Sequence, residues 1–193
     1  MTPKILLLSG SARSGSNNTR LLATATKVFS QLDCEPTRIS LADYELPLFD
    51  GDLEAQKGTP ENAVKLARLF HEHHGIMIAC PEYNGSLTPL LKNTIDWVSR
   101  VKSDDRGDIA PYKEKFAALI SIAPGQMGGV NGLTHLRAIL SRLGMLVISE
   151  QVTIGNMATA FNDDDSLANE VSTKFLQAAC ESLVDKTAIH NLR

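Results

Sequence analysis

Ser11, Ser14 and Ser16, the amides of Asn17 and Asn18, and the guanidinium of Arg13 crowd one short stretch of the chain. Hydroxyls, amides and one fixed positive charge are groups that hold an anion. They follow Lys4-Ile5-Leu6-Leu7-Leu8, an apolar run with the form of a buried parallel strand. They lead into Asn18-Thr19-Arg20-Leu21-Leu22-Ala23, which reads as a helix start. Strand, small-residue turn and helix N-terminus together make an anion cradle, because backbone N–H groups and the positive helix end point into the turn. A polar turn that only caps a helix is the plainer reading, but caps rarely use so many consecutive donors.

Missing residues narrow the anion. Gly10 and Gly15 have the glycine spacing of a nucleoside-triphosphate loop, yet Ser16 and Asn17 stand where Lys and Ser/Thr are required. The dinucleotide pattern Gly-x-Gly-x-x-Gly fails at Ala12 and Arg13. A phosphate monoester remains. Two further stretches bear on what it is attached to. Pro81-Glu82-Tyr83-Asn84-Gly85-Ser86 is polar directly after an apolar run, and Asn84-Gly85 permits a turn that presents N–H groups outward. Such donors suit one edge of a planar heterocycle. Ala123-Pro124-Gly125-Gln126-Met127-Gly128-Gly129 has almost no side chains near its turn, so a flat ring could lie against its backbone. Phosphate in the first loop and a ring between the second and third describe a mononucleotide. A flavin mononucleotide suits this better than an adenine nucleotide, although composition does not decide between them.

The elements that must position these loops alternate along the chain. Helix patterns run from about Asn18 to Gln31, from Pro60 to about His74, from Pro89 to about Val101, through Leu133, Leu136, Leu140 and Leu143, and from Ser166 to about Lys186. The last is expected to bury Leu167, Val171, Phe175 and Leu183. Strands are expected at 4–9, Glu35 to Leu41, Gly75 to Cys80, Phe116 to Ile122 and Met145 to Ser149. A long loop fills Ala42 to Thr59, where Asp50, Gly51, Asp52 and Gly58 act as breakers, and a charged, flexible segment fills Lys102 to Lys115. The whole chain, 1–193, is expected to form a single α/β domain. Right-handed crossovers then give a flavodoxin-like three-layer sandwich, a five-stranded parallel sheet of order 2-1-3-4-5. The loops after strands 1, 3 and 4 open on the same sheet edge and converge on one cleft.

Composition bounds the partners. A formal charge of −3 without a basic stripe argues against nucleic acid or an anionic membrane. No apolar run is long enough to span a bilayer, and no signal-peptide pattern opens the chain. Cys34, Cys80 and Cys180 form no Cys-x-x-Cys, so the expected setting is reducing and cytoplasmic. His71-Glu72-His73-His74 looks like a set of metal ligands, but no matching cluster accompanies it, and polar groups are expected at a helix C-terminus; no metal is expected. Cys80 reads as a small buried thiol. Asp163-Asp164-Asp165 reads as a solvated turn, with Asp165 a candidate cap for the last helix.

Taken together, Gly10-Ser11-Ala12-Arg13-Ser14-Gly15-Ser16-Asn17-Asn18, Pro81-Glu82-Tyr83-Asn84-Gly85-Ser86 and Lys92-Asn93-Thr94-Ile95-Asp96-Trp97 resemble the NADPH-dependent FMN reductase family. These flavodoxin-like flavoproteins include quinone, chromate and azo-dye reductases, and the resemblance runs from the first strand through His135-Leu136-Arg137. It implies that Ser11, Arg13, Ser16 and Asn18, with Asn17 beside them, hold the FMN phosphate. It implies that Pro81, Glu82, Tyr83, Asn84, Gly85 and Ser86 line the ribityl chain and the pyrimidine edge. Ala123, Pro124 and Gly125 form the third wall, where many relatives carry Ser in place of Ala123. The activity implied is ping-pong hydride transfer from NADPH or NADH to FMN and then to a quinone, flavin or similar acceptor, with no catalytic side chain in the strict sense. The rival of another class is a flavodoxin-type electron carrier, which binds FMN but reacts poorly with NAD(P)H.

The helix from Pro89 to Val101 has an apolar surface wider than one core contact needs. Leu91, Ile95 and Val98 form one stripe, and Leu90, Trp97 and Val101 form an adjoining one. A second subunit on this helix, in a homodimer or homotetramer, is the expectation, and it agrees with what the resemblance implies. Burial under the segment Lys102 to Lys115 is the competing explanation. A phosphotyrosine-type phosphatase is excluded because Ser40, Ser86 and Lys186 stand where its Arg should follow a Cys. A phospho-receiver is excluded because Ser9-Gly10 and Cys80-Pro81 replace its acidic residues.

Overall fold

The computed structural model describes residues 1–190. Its strands are β1 (Lys4–Ser9), β2 (Glu35–Arg38), β3 (Gly75–Ala79), the two-residue strands β4 (Ser103–Asp104) and β5 (Gly107–Asp108), β6 (Phe116–Ile122) and β7 (Leu146–Ile154). Its helices are α1 (Asn17–Phe29), α2 (Gly51–Lys57), α3 (Glu61–Glu72), α4 (Pro89–Arg100), α5 (Val130–Arg142) and α6 (Glu170–His190). The five long strands form one parallel sheet in the order β2-β1-β3-β6-β7, the expected 2-1-3-4-5 arrangement.

Why the central strands read as unbroken apolar runs is visible in their burial. Successive side chains leave a strand on opposite faces. Leu6 and Leu8 enter a core shared with α3, α4 and α5, while Ile5 and Leu7 enter a second core shared with α1 and α6. Both faces are therefore covered, and no alternation is needed.

Several boundaries differ from the sequence expectations for identifiable reasons. The stretch 42–59 is not all loop. Asp50 accepts hydrogen bonds from the N–H groups of Asp52 (2.7 Å) and Leu53 (3.2 Å), and this cap turns residues that look like breakers into the short helix α2. β2 ends at Arg38, and β7 runs on to Ile154. Along β7 the register slips, with Ala117 opposite Val147 but Leu119 opposite Gln151. The Arg137 guanidinium donates to the carbonyls of Val147 (3.0 Å) and Ile148 (2.8 Å), so the bulge leaves neither acceptor orphaned. The last helix starts at Glu170 and is capped by Asn169, whose Oδ1 accepts from Val171 N (2.8 Å) and Ser172 N (3.2 Å); Asp165 instead pairs with Arg20. Its core face is Leu176, Ala179, Cys180, Leu183 and Val184, which leaves Val171 57% and Phe175 61% exposed. Residues 102–115 are not an open linker. They contain the β4–β5 hairpin, whose Asp104 pairs with the buried Arg68 of α3 and is thereby held below the usual carboxylate range.

The apolar width of α4 has an explanation inside the chain. Trp97 is fully buried; its indole N–H donates to Pro47 O (2.7 Å), and Phe49 meets it edge to face at 5.0 Å. Asn93 fixes the same segment, accepting from Phe49 N (2.8 Å) and donating to Pro47 O (2.9 Å). On the other side Tyr112 reaches Ile95 O. Two segments of the same polypeptide cover the stripes attributed to a partner.

Candidate functional site

The first loop leaves its donors unused. Ser16 stands at the N-cap position of α1, yet its side chain makes no capping hydrogen bond. Among the described residues no acceptor takes the N–H groups of Asn17, Asn18 or Thr19; the first amide of the helix to be paired is that of Arg20, to Ser16 O (3.0 Å). Arg13 is exposed and has no carboxylate partner among the described residues. Ser11 Oγ accepts from Arg13 N (3.2 Å), which folds the loop back toward the helix end. Asn18 is different. It is 5% exposed, and its side chain donates to Ile122 O (2.9 Å) and accepts from Ile122 N (3.1 Å). Its amide thus ties α1 to the end of β6, and only its backbone N–H remains for a ligand.

The second loop closes on itself. Tyr83 and Ser86 exchange both backbone hydrogen bonds (2.9 and 3.0 Å), and Asn84 and Gly85 have φ of 51° and 75°. Two consecutive positive φ values across a two-residue connection make the mirror-image turn that Asn-Gly favours. The Asn84 and Gly85 N–H groups find no acceptor among the described residues. Glu82 turns its carboxylate to Gly132 N (2.9 Å) at the start of α5, so its side chain serves that helix end. Ser86 Oγ lies 3.0 Å from His135 Nδ1, a neighbour the sequence did not single out.

The third loop is pressed against β7. Ala123 donates to Ile154 O (3.0 Å) and accepts from Met157 N (3.3 Å), so its backbone is committed within the chain. Gly128 has φ of 62°, and a Cβ there would sit 2.5 Å from Ile154 N. Gly125 has open space around it.

The three loops meet in one cleft of about 230 Å³ lined by Ser11, Arg13, Ser16, Asn17, Asn18, Pro81, Glu82, Tyr83, Ile122, Ala123, Pro124 and Met157. Asn84, Gly85, Ser86 and Gly125 lie outside that lining. Ile122 and Met157 complete it without having been anticipated. Ile122 is the last residue of β6, and Met157 arrives on a turn beyond the end of β7 that no motif marks. Cys80 is buried beneath, its thiol pushed up to about 12 by desolvation, so it offers no thiolate to the cleft at neutral pH. The residues fit a phosphate ester with a flat group. One end offers unpaired N–H groups, hydroxyls and a free guanidinium, and the other offers backbone edges and apolar atoms.

Residues 3–159 match the model of a family described as NADPH-dependent FMN reductase. The chain belongs to the NADPH-dependent FMN reductase family. It is an oxidoreductase that works with FMN and NAD(P)H. It is 32% identical over 155 residues to a quinone reductase from Escherichia coli, covering 80% of this chain and 78% of that one. An NAD(P)H-dependent FMN reductase from Pseudomonas aeruginosa is 30% identical over 182 residues, covering 93% and 92%. Among solved structures, the flavoenzyme NAD(P)H:(acceptor) oxidoreductase FerB from Paracoccus denitrificans superposes with a TM-score of 0.80 at 27% identity, covering 98% of this chain and 99% of that one. An archaeal flavodoxin with a TM-score of 0.60 at 10% identity, covering 96% of this chain and 99% of that one, shares the fold.

The histidines that resemble metal ligands are engaged elsewhere. His71 Nδ1 accepts from Ala110 N (3.1 Å), His74 Nδ1 accepts from Lys4 N (3.0 Å), and His73 Nδ1 lies 2.6 Å from Leu69 O. No helix among the described residues is long and apolar enough to cross a membrane.

Proposed function

We propose that the cleft holds FMN with its phosphate against Ser11, Arg13, Ser16 and the backbone of Asn17 and Asn18. Pro81, Glu82, Tyr83, Asn84, Gly85 and Ser86 then face the ribityl chain and the pyrimidine edge, and Ala123, Pro124 and Gly125 form the opposite wall. One observation supports this above the others: the N–H groups of residues 17–19 and the Ser16 hydroxyl lack protein partners among the described residues where Ser16, Asn17 and Asn18 line the shared cleft.

When bound, the cofactor supplies two-electron transfer, accepting hydride from NAD(P)H and passing it to a quinone, flavin or similar small acceptor in a second half-reaction. The chain's own residues position and polarise. Asn84 and Gly85 direct N–H groups outward from a closed turn, where developing negative charge on a ring edge would meet donors already in place. Arg13 and the helix end balance the phosphate. The chemistry requires no protein nucleophile, and the buried Cys80 supplies none. Assembly as a homodimer or homotetramer belongs to the same reading but draws nothing from the apolar face of α4, which the chain covers itself. Three free cysteines agree with a reducing cytoplasmic setting.

The test is the absorption spectrum of the freshly purified protein followed by anaerobic titration with NADPH. A flavin spectrum that bleaches rapidly supports the enzyme. A bound flavin that resists NADPH supports an electron carrier instead, and failure to bind FMN at micromolar concentration removes the proposal.

A further inference from the structure

Met157 reaches the cleft on a segment that the three loops do not account for. Between the end of β7 and the start of α6 the chain makes an excursion through residues 155–169 and folds it shut. Ala168 N donates to Ala160 O (3.0 Å), Asn162 N donates to Ser166 O (2.9 Å), and Phe161 bridges Leu167. The excursion is therefore a closed hairpin, and Ala160 and Leu167 root it in the core shared with α1 and α6. Asn156, ahead of its first limb, and Asp165, at its tip, have φ of 50° and 66°. Few side chains other than those of asparagine and aspartate tolerate that backbone. The first limb sets Met157 against the cleft, where its N–H donates to Ala123 O (3.3 Å) in the third loop.

From outside, Arg20 grips this hairpin at three residues. Its Nε pairs with Asp165, its Nη2 donates to Asn162 O (3.0 Å), and its guanidinium lies 4.2 Å from the centre of the Phe161 ring. A lone surface ion pair stabilises little, but this group meets a carboxylate, a carbonyl and an aromatic face at once. Thr24, one turn along α1, brings its hydroxyl within 3.2 Å of Asp165 O. Arg20 also follows directly on the unpaired N–H groups of residues 17–19. The helical turn that offers donors to an anion thus also holds the segment that carries Met157.

We propose that residues 157–168 form a strap that sets how long FMN stays in the cleft, and that Arg20 is the positioning residue that latches it. This role rests on the flavin reading above and deepens it. With the latch closed, Met157 stays against the bound group and FMN is retained as a resident cofactor. With the latch lost, that wall withdraws and FMN exchanges with solution as a substrate does. The loss is read mainly in the rate of departure, where most affinity differences between variants of one site lie.

The experiment dilutes FMN-loaded protein and follows the rise in flavin fluorescence as the cofactor leaves. It compares the wild type with Arg20→Ala, Asp165→Asn, Met157→Ala and the double variant Arg20→Ala/Met157→Ala. Arg20→Ala is expected to speed release about tenfold, and Asp165→Asn, which keeps the backbone preference and loses only the ion pair, about threefold. The double variant should release FMN within about twofold of the faster single variant, because Arg20 acts through Met157. Proteolysis of the flavin-free protein within 157–168 should quicken in Arg20→Ala. Release unchanged in both Arg20→Ala and Asp165→Asn overturns the proposal even where thermal unfolding shows lost stability, since a merely structural role gives that pattern. Effects that multiply in the double variant overturn it as well and separate Arg20 from Met157. A wild type that takes up no FMN brings down the functional reading itself, whereas normal uptake with unaltered release sinks the strap alone.

Discussion

The two ends of the sheet treat polar groups in opposite ways. At the amino ends, polar groups meet within the chain. Lys115 Nζ donates to the carbonyls of His71 (2.8 Å) and His73 (2.6 Å) at the end of α3, and burial lowers its ammonium to about 8. His71 and His74 accept from backbone N–H groups, and His73 meets Leu69 O. At the carboxyl ends, several consecutive N–H groups, an N-cap hydroxyl and a guanidinium stand without protein partners among the described residues. Both ends are rich in polar residues, so composition does not separate them. What separates them is whether the groups answer one another. A closed set of hydrogen bonds stabilises the fold, and an open set is held ready for something else.

The comparison can be broken most forcefully at Gly128. A Cβ there meets the backbone of Ile154 at 2.5 Å, and backbone cannot step aside, so Gly128→Ala should cost about 3 kcal/mol or more in stability and abolish flavin binding. Gly125→Ala, in the same loop but in open space, should change stability by less than about 0.5 kcal/mol. Urea unfolding of both variants checks the contrast.

Next in size are the anion donors. Ser16→Ala and Arg13→Ala should each weaken FMN roughly tenfold by removing a hydrogen bond to a charged group. Since Ser16 makes no capping bond, its loss should leave the apoprotein's stability within about 0.5 kcal/mol, unlike the ~1 kcal/mol usual for an N-cap serine. Flavin titration beside thermal unfolding of the apoprotein separates the two effects.

Gly85→Ala sharpens the picture at the second loop. Nothing crowds a Cβ there, so only the φ of 75° opposes it, and a destabilisation of about 1 kcal/mol is expected, read by urea unfolding.

The smallest effect belongs to the closed end. Burial pulls the His73 and His74 imidazoles below their ordinary 6.5. Below that value the unfolded chain takes up protons before the folded one, so stability rises with pH there and falls on acidification. His73→Gln should flatten the slope of unfolding free energy between the lowered value and 6.5 while FMN affinity stays unchanged. A slope unaltered by the substitution would show that other groups govern it.

Much of this arrangement was legible in the sequence because it is local. Apolar runs marked the buried strands, and the clustering of polar residues after β1, β3 and β6 located the cleft. Asn84-Gly85 announced its turn by the backbone freedom of those two residues. What was not legible depends on distant partners. Nothing near Asn18 shows that its amide belongs to Ile122, and nothing near Met157 places it in the cleft. The exposure of Val171 and Phe175 escaped detection because the start of α6 follows Asn169, and an apolar residue beyond the core is indistinguishable by type. The α4 stripes misled for a related reason: the residues that cover them, Pro47, Phe49 and Tyr112, sit in segments that look like surface loop.

The two-way amide clasp between Asn18 and Ile122 has a kinetic consequence. It ties the start of α1 to the end of β6, so the cleft between the loops keeps its shape in the ligand-free chain. Little ordering then accompanies docking, and association should proceed as a single concentration-dependent phase without a slow rearrangement. Severing that clasp would slow capture of the cofactor from solution even where the final complex looks the same.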